Sequence, residues 1–269
     1  MKVNIIVALY YPHYYGKVRK EIFAIFKNTD LNIVFVDNSS KILPENEPAP
    51  NVQWLKGSNT AGEFSAWDEG YSLLEQGNTI DNDDIVIFMN DTFCHHRFFT
   101  IYDRILYRRA VKHCSLKGVY GELNSTGKIF AIHQVPFAAW MSSYVFLGRR
   151  ENIIKLLPLN STSTISEESF SEIGHDLTNK KVNIPFFSDD LNQHLSNWLF
   201  PTNENGWYNA GKISGNQLLF KLKAIINEKL LTYNAINNNL DVNDIYQGKI
   251  NRIYNSVRNK LFIYFNKNN

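Results

Sequence analysis

The sequence predicts an α/β fold: a mostly parallel sheet flanked by helices, with a C-terminal helical extension. Three observations lead there. Apolar, β-branched runs alternate with helical periodicities through the first half of the chain. Those runs are apolar at nearly every position, as strands covered on both faces are, and not at every second one. Hydrophobic residues make up 44% of the 269 residues and charged residues 20%, ample material for the core of one α/β domain with an appendage.

Taken in order, residues 3–10 form the first buried-strand pattern. Val18, Ile22, Ile25 and Phe26 then fall at helical spacing over residues 18–28. A second strand spans 31–36 and ends in Asp37-Asn38-Ser39-Ser40; a short third strand spans 52–55. Residues 60–74 read as a helix, opened by a capping box between Thr60 and Glu63, with Phe64 and Trp67 starting its apolar face. A fourth strand covers 85–89, a helix 98–110 and another strand 119–123. Residues 129–157 are apolar and aromatic without a clear period, and 161–176 read as a loop. Helices follow over 191–200, 217–231 and 242–265, with a turn-rich link at 203–211.

The net charge of +2 excludes a molecule-wide field for nucleic acid. The charge is uneven, however. Lys249, Arg252, Arg258, Lys260 and Lys267 are not matched by any acid from 249 to 269. Ile250, Ile253, Tyr254, Val257, Leu261 and Tyr264 recur there every three or four residues. This reads equally as an amphipathic helix able to lie on an anionic membrane or as one packed on the domain. Two isolated cysteines, Cys94 and Cys114, suggest a reducing cytoplasm. Residues 1–9 read as a strand and not as a signal peptide, and the apolar stretch 135–147 is too short to span a bilayer. The expected location is cytoplasmic, with peripheral contact at the inner membrane face through the tail.

In parallel sheets ligands bind outside the carboxyl ends of the strands. Tyr10-Tyr11, Asp37-Asn38 and Asn90-Asp91-Thr92 follow three predicted strands and would line one crevice. Some chemistry-bearing residues also have plain structural readings. Glu63 reads as a cap, His95-His96 as a surface pair, and Trp140 and Trp198 as core residues; His133 leans slightly towards a structural role.

Four segments carry a resemblance. The first is Val36-Asp37-Asn38-Ser39-Ser40. The second is the run from Asn59 through Gly62 and Asp68 to Gly70. The third is Ile87-Phe88-Met89-Asn90-Asp91-Thr92. The fourth is Phe186-Phe187-Ser188-Asp189-Asp190-Leu191-Asn192, with Trp198 nearby. A weaker fifth is Ile132-His133-Gln134. Their order resembles that of the GT-A glycosyltransferases of family 2, especially the bacterial rhamnan synthesis protein F-like transferases, over roughly residues 3–200.

The resemblance implies a GT-A-like, Rossmann-like domain over 1–215, and the residue pattern beyond it reads as a helical, basic amphipathic tail over 216–269. It implies transfer of a sugar from a nucleoside diphosphate-sugar to a surface polysaccharide (O-antigen or capsule), inversion at the sugar carbon, and an acceptor that is a glycan, in one version lipid-linked. Tyr10, Asp37, Asn59, Gly62, Asp68, Asn90 and Asp91 would contact the donor. His133, Gln134 and Trp198 would contact the acceptor. Asp91 would hold a divalent cation, Mn or Mg. Asp190 or Asp189 would be the base that takes the acceptor's proton. Thr92 stands where the family's metal motif has its last acid, and Asn192 replaces a third acid in the fourth motif. Those departures leave both the metal and the choice of base open. A non-catalytic partner subunit of the same fold is the alternative. A sugar nucleotidylyltransferase is less favoured, because Leu9 to Gly16 lacks the Gly-rich, Arg- and Lys-containing loop that it needs.

Overall fold

A computed structural model of the chain describes residues 1–42, 51–77, 80–164, 177, 179–202 and 215–267. The path begins with β1 (Val3–Leu9), a turn of 3-10 helix at Pro12–Tyr14, α1 (Tyr15–Ile25), β2 (Leu31–Asp37) and β3 (Val52–Lys56). It continues through α2 (Glu63–Gln76), β4 (Ile85–Asn90), α3 (Ile101–Lys112) and β5 (Gly118–Asn124). A small hairpin of β6 (Phe130–Ile132) and β7 (Val135–Phe137) leads into β8 (Trp140–Arg149) and the short α4 (Arg150–Ile153). Then come α5 (Asp189–Leu199), α6 (Asn216–Asn237), β9 (Asp241–Asp244) and α7 (Lys249–Lys267).

Seven strands form one sheet in the order β3-β2-β1-β4-β8-β5-β9. Within it β8 runs against the rest, antiparallel to both β4 and β5, while the other pairings are parallel. Every residue of β1 is buried, so alternate side chains serve opposite faces. Ile5, Val7, Phe35, Ile87 and Met89 pack with α1 and α3. Ile6, Val34, Val36, Val86 and Phe88 pack with Phe64, Trp67 and Leu74 of α2 and with Leu231 of α6. Trp67 also donates its indole N–H to the Met89 carbonyl at 2.8 Å, tying α2 to β4. A third apolar cluster joins the β6–β7 hairpin, α5 and α6.

The expected α/β sheet is present, and several boundaries move. α1 starts three residues early, continuing out of the aromatic turn at Pro12–Tyr14. The Thr60–Glu63 capping box does not form. Gly62 is the N-cap of α2, with φ +61° and no side chain, and Thr60 Oγ1 lies 3.2 Å from Ser58 Oγ instead. The capping box among these helices belongs to α3, between Thr100 and Asp103. The helix expected over 242–265 divides at Gly248, with φ +98°. Its first part is β9, held by parallel pairing with β5, and tertiary pairing overrides the local helical spacing there. The region past 215 is therefore woven into the fold: α6 lies against β8 and β9 completes the sheet. The link at 203–211 and residues 165–176 of the expected loop lie outside the described residues.

A candidate donor site at the carboxyl edge of the sheet

The register places the strand ends side by side: Leu9 faces Asp37, and Ala8 faces Asn90. Asp91 follows directly, and its amide donates to the Ala8 carbonyl at 3.0 Å. Its side chain turns back across the end of β1. Oδ2 accepts the backbone N–H groups of Tyr10 at 2.7 Å and Tyr11 at 2.6 Å. Asp91 is only 2% exposed. Burial pushes its carboxyl up to about 6, and the charge of Glu63 adds to the rise, while the two amides oppose it. Asn90 closes the following turn: Oδ1 accepts from the Thr92 N–H (3.1 Å) and hydroxyl (2.6 Å). Its Nδ2 donates to the Ser143 carbonyl at 2.9 Å. Thr92, standing where an acid was expected, is thus a turn-former.

Asp37 is fully buried, and its carboxylate serves its own turn. Oδ1 accepts from the Ser39 N–H and hydroxyl at 2.8 and 2.6 Å, and Oδ2 from the Ile42 N–H at 2.8 Å. Asn38 reaches across to α2, donating Nδ2–H to the Gly62 carbonyl at 2.9 Å. Gly57 lies so close that a Cβ there would sit 2.1 Å from Asn38 Oδ1. Asn59 holds a left-handed φ of +53°. The side-chain oxygens of Asn38 and Asn59 are both buried without a hydrogen-bond partner among the described residues. Two buried acceptors without partners near the ends of β2 and β3 would be satisfied by a hydroxyl or N–H donor. Asp68 is engaged elsewhere: its carboxylate accepts the N–H groups of Leu159 and Asn160 at 2.7 and 2.9 Å, and burial raises its pKa. Tyr10, Asp37, Asn59, Gly62, Asn90 and Asp91 therefore gather at one edge, and Asp68 props a distant loop.

The expected acceptor residues form a second group. The β6–β7 hairpin turns on His133 and Gln134, with φ of +45° and +66°. It is laced to the start of α5 by a bridge between Ile132 and Phe187 and by bonds between Ala131 and Ser188 at 2.9 and 3.1 Å. The His133 ring stacks on Phe186 at 4.8 Å. Asn192 bonds both backbone groups of Ile184 at 2.9 and 3.1 Å, so it fixes this approach and is not a third acid's substitute. Asp189 and Asp190 occupy the exposed first turn of α5, where the helix dipole favours them. Asp190 lies 3.5 Å from Lys128, a solvent-exposed pair of small worth. Trp198 is packed against the third core, with Lys221 Nζ 5.6 Å from its ring centroid.

Two residues near these groups were not singled out for chemistry by sequence reasoning. Glu63, read as a cap, is half-buried and close enough to Asp91 to raise its pKa. Lys229, on α6, is 2% exposed, with Nζ 3.3 Å from the Trp140 ring centroid and 3.8 Å from Glu228. Burial brings its amine down to about 7. Glu228 in turn accepts the Ser143 N–H at 2.9 Å, on the residue whose carbonyl holds Asn90. A Glu-Lys pair between Ile225-Ile226 and Leu230-Leu231 was the available signal. Among the described residues no three His, Cys, Asp or Glu side chains come together as a metal site.

No family model matches the chain, and no curated protein sequence does. A crystal structure of 4-diphosphocytidyl-2C-methyl-D-erythritol synthase is similar at a TM-score of 0.41, with 13% identity, covering 62% of this chain and 81% of that one. The chain is a mixed α/β protein built on a seven-stranded, mostly parallel sheet, and among the described residues no helix is long and apolar enough to cross a membrane.

Proposed function

We propose that the carboxyl edge of β1, β2 and β4 binds a nucleoside diphosphate-sugar, and that the chain transfers the sugar, with inversion, to the glycan of a bacterial surface polysaccharide. The observation that carries this reading is the gathering of Asp91, gripped by the amides of Tyr10 and Tyr11, beside the orphaned oxygens of Asn38 and Asn59. Tyr10, 48% exposed, offers a ring for the base. Asn59 and Asn38 accept ribose or base donors. Gly62 caps α2, whose N-terminal dipole favours the diphosphate nearby. Asp37 acts by shaping the turn at 39–42.

In the transfer itself, an acceptor hydroxyl forms the new bond to the sugar carbon and gives its proton to Asp190 or Asp189. The nucleoside diphosphate departs with the electron pair of the broken bond. His133, Gln134 and Trp198 hold the acceptor on the side of α5. Manganese or magnesium at Asp91, with Glu63 nearby, would neutralise the departing diphosphate. The described residues by themselves do not complete such a site.

Thermal shift with nucleoside diphosphates and their sugars tests the reading, since a ligand specific for the native state raises the melting temperature. One nucleotide family should stabilise the chain, and Asn59→Ala should abolish the shift; manganese dependence would assign the cation. Asp190→Asn should then lower turnover without weakening donor binding. No shift with any nucleotide at millimolar concentration would favour the non-catalytic partner subunit. That second reading draws on Asp37 and Asp68, whose carboxylates are engaged by backbone groups.

A further inference from the structure

The C-terminal helix is anchored by Arg258 and the aromatic rings of Tyr254 and Phe262, and not by the rest of its apolar stripe. Arg258 of α7 is buried and pairs with Asp103 of α3, which also accepts the hydroxyls of Tyr246 and Tyr254 at 2.8 and 2.7 Å. Tyr254 stacks edge-on with Tyr102, and Tyr102 donates its hydroxyl to Asn251 at 2.6 Å. Phe98 meets Phe262 and Phe265. Residues 251, 254, 255, 258 and 262 thus form the packed seam.

The stripe at 250, 253, 257, 261 and 264 is left facing outward. Ile250 is 77% exposed, and Ile253, Val257, Leu261 and Tyr264 are all exposed. α3, whose first turn α7 contacts, exposes Ile101 and Ile105 as well. Both helices also expose bases: Lys249, Arg252 and Lys260 on one, Arg108, Arg109 and Lys112 on the other. Asp103 is the one acid on either helix, and it is fully buried. Successive contacts move from Tyr102 to Thr100 to Phe98 as α7 proceeds. α7 therefore crosses the first turn of α3, at Tyr102 and Asp103, and runs on past Phe98 in the loop that follows Asp91.

We propose that α3 and α7 together form a docking face for an anionic lipid bilayer, with the stripe of α7 entering the interface and the bases of both helices meeting the headgroups. The occupant follows from charge. A second copy of this chain would set like charge against like, with no exposed acid on either helix to relieve it, whereas anionic lipid complements both features. The stripe needs no unfolding to insert, because the Asp103–Arg258 pair keeps α7 docked by its other side. This docking stands apart from the transfer reading, although it would bring the carboxyl edge of the sheet close to the membrane surface.

Co-sedimentation of the full chain with vesicles tests it, comparing phosphatidylcholine alone with phosphatidylcholine containing phosphatidylglycerol. Binding is expected to the anionic vesicles only and to weaken with salt. Ile253→Asp with Leu261→Asp should reduce it by about tenfold or more. Lys249→Glu with Arg252→Glu should reduce it roughly fivefold per charge removed. Both pairs are exposed, so an unchanged melting temperature confirms folding. Equal binding to both vesicles, absence of binding, or retention in the folded variants would overturn the proposal. So would a concentration-dependent dimer in sedimentation that Ile253→Asp dissolves, which would assign the face to a second copy.

Discussion

Replacing Asp91 with asparagine should change how stability depends on pH. The carboxyl titrates at about 6 in the folded chain against 3.8 in the reference state. Between those values the native state keeps a proton that the unfolded chain has lost, so stability falls as pH rises through the window. The difference of about 2 pH units corresponds to roughly 3 kcal/mol, fully expressed above pH 6 and absent below pH 4. The substituted side chain would keep an oxygen to accept the Tyr10 and Tyr11 N–H groups but would not ionise. Other titrating groups, Asp68 and Asp244 among them, act alike in both proteins and cancel in the difference. Urea denaturation of both proteins from pH 4 to pH 8 measures it. The stability of Asp91→Asn relative to the parent should climb by about 3 kcal/mol across the range, whatever its absolute offset. A difference that stays flat would mean that Asp91 is ionised throughout and would refute the reasoning.

Two further substitutions probe the frame that holds the site. A Cβ on Gly70 would lie 2.5 Å from Ile6 Cγ2 and 3.0 Å from Val36 Cγ2, both close to the backbone. Gly70→Ala should therefore cost about 1–3 kcal/mol despite the better helix propensity of alanine, read as a lower urea midpoint. Arg258→Met leaves the buried side chain of Asp103 without its ion-pair partner, at a cost of about 3–5 kcal/mol; Asp103→Asn in the same chain should recover part of it, and an additive pair would show that the two do not interact.

The sheet was legible where single strands carry their own signal. β1, β2 and β4 are runs of buried apolar residues, and β-branched composition marks them without tertiary information. β8 was not legible as a strand, because its apolar and aromatic stretch suits a buried helix as well as a strand. Pairing with β4 and β5 decides it. β9 was hidden for the opposite reason: Val242, Ile245 and Tyr246 mimic a helical face and in fact serve opposite sides of the sheet. At the site, chain position told that the strand-end residues Tyr10, Asp37, Asn90 and Asp91 reach the carboxyl edge. It did not tell where their carboxylates point. Asp68 is claimed by the amides of Leu159 and Asn160, far downstream in the chain, and the depressed lysine at 229 lies against the Trp140 ring of β8, far upstream. Both depend on contacts that no local spacing encodes.

β9 carries a consequence for how the protein is made. It covers β5, pairing residues 118–121 with 241–244. Until the ribosome has delivered that last short strand, β5 presents an open row of backbone donors and acceptors, the template on which strands from other chains add. Its acidic and amide residues, Asp241, Asn243 and Asp244, make β9 itself a poor template in turn. A nascent or truncated chain ending before 241 should therefore be markedly more prone to aggregate than one that carries β9, even with every proposed site residue in place.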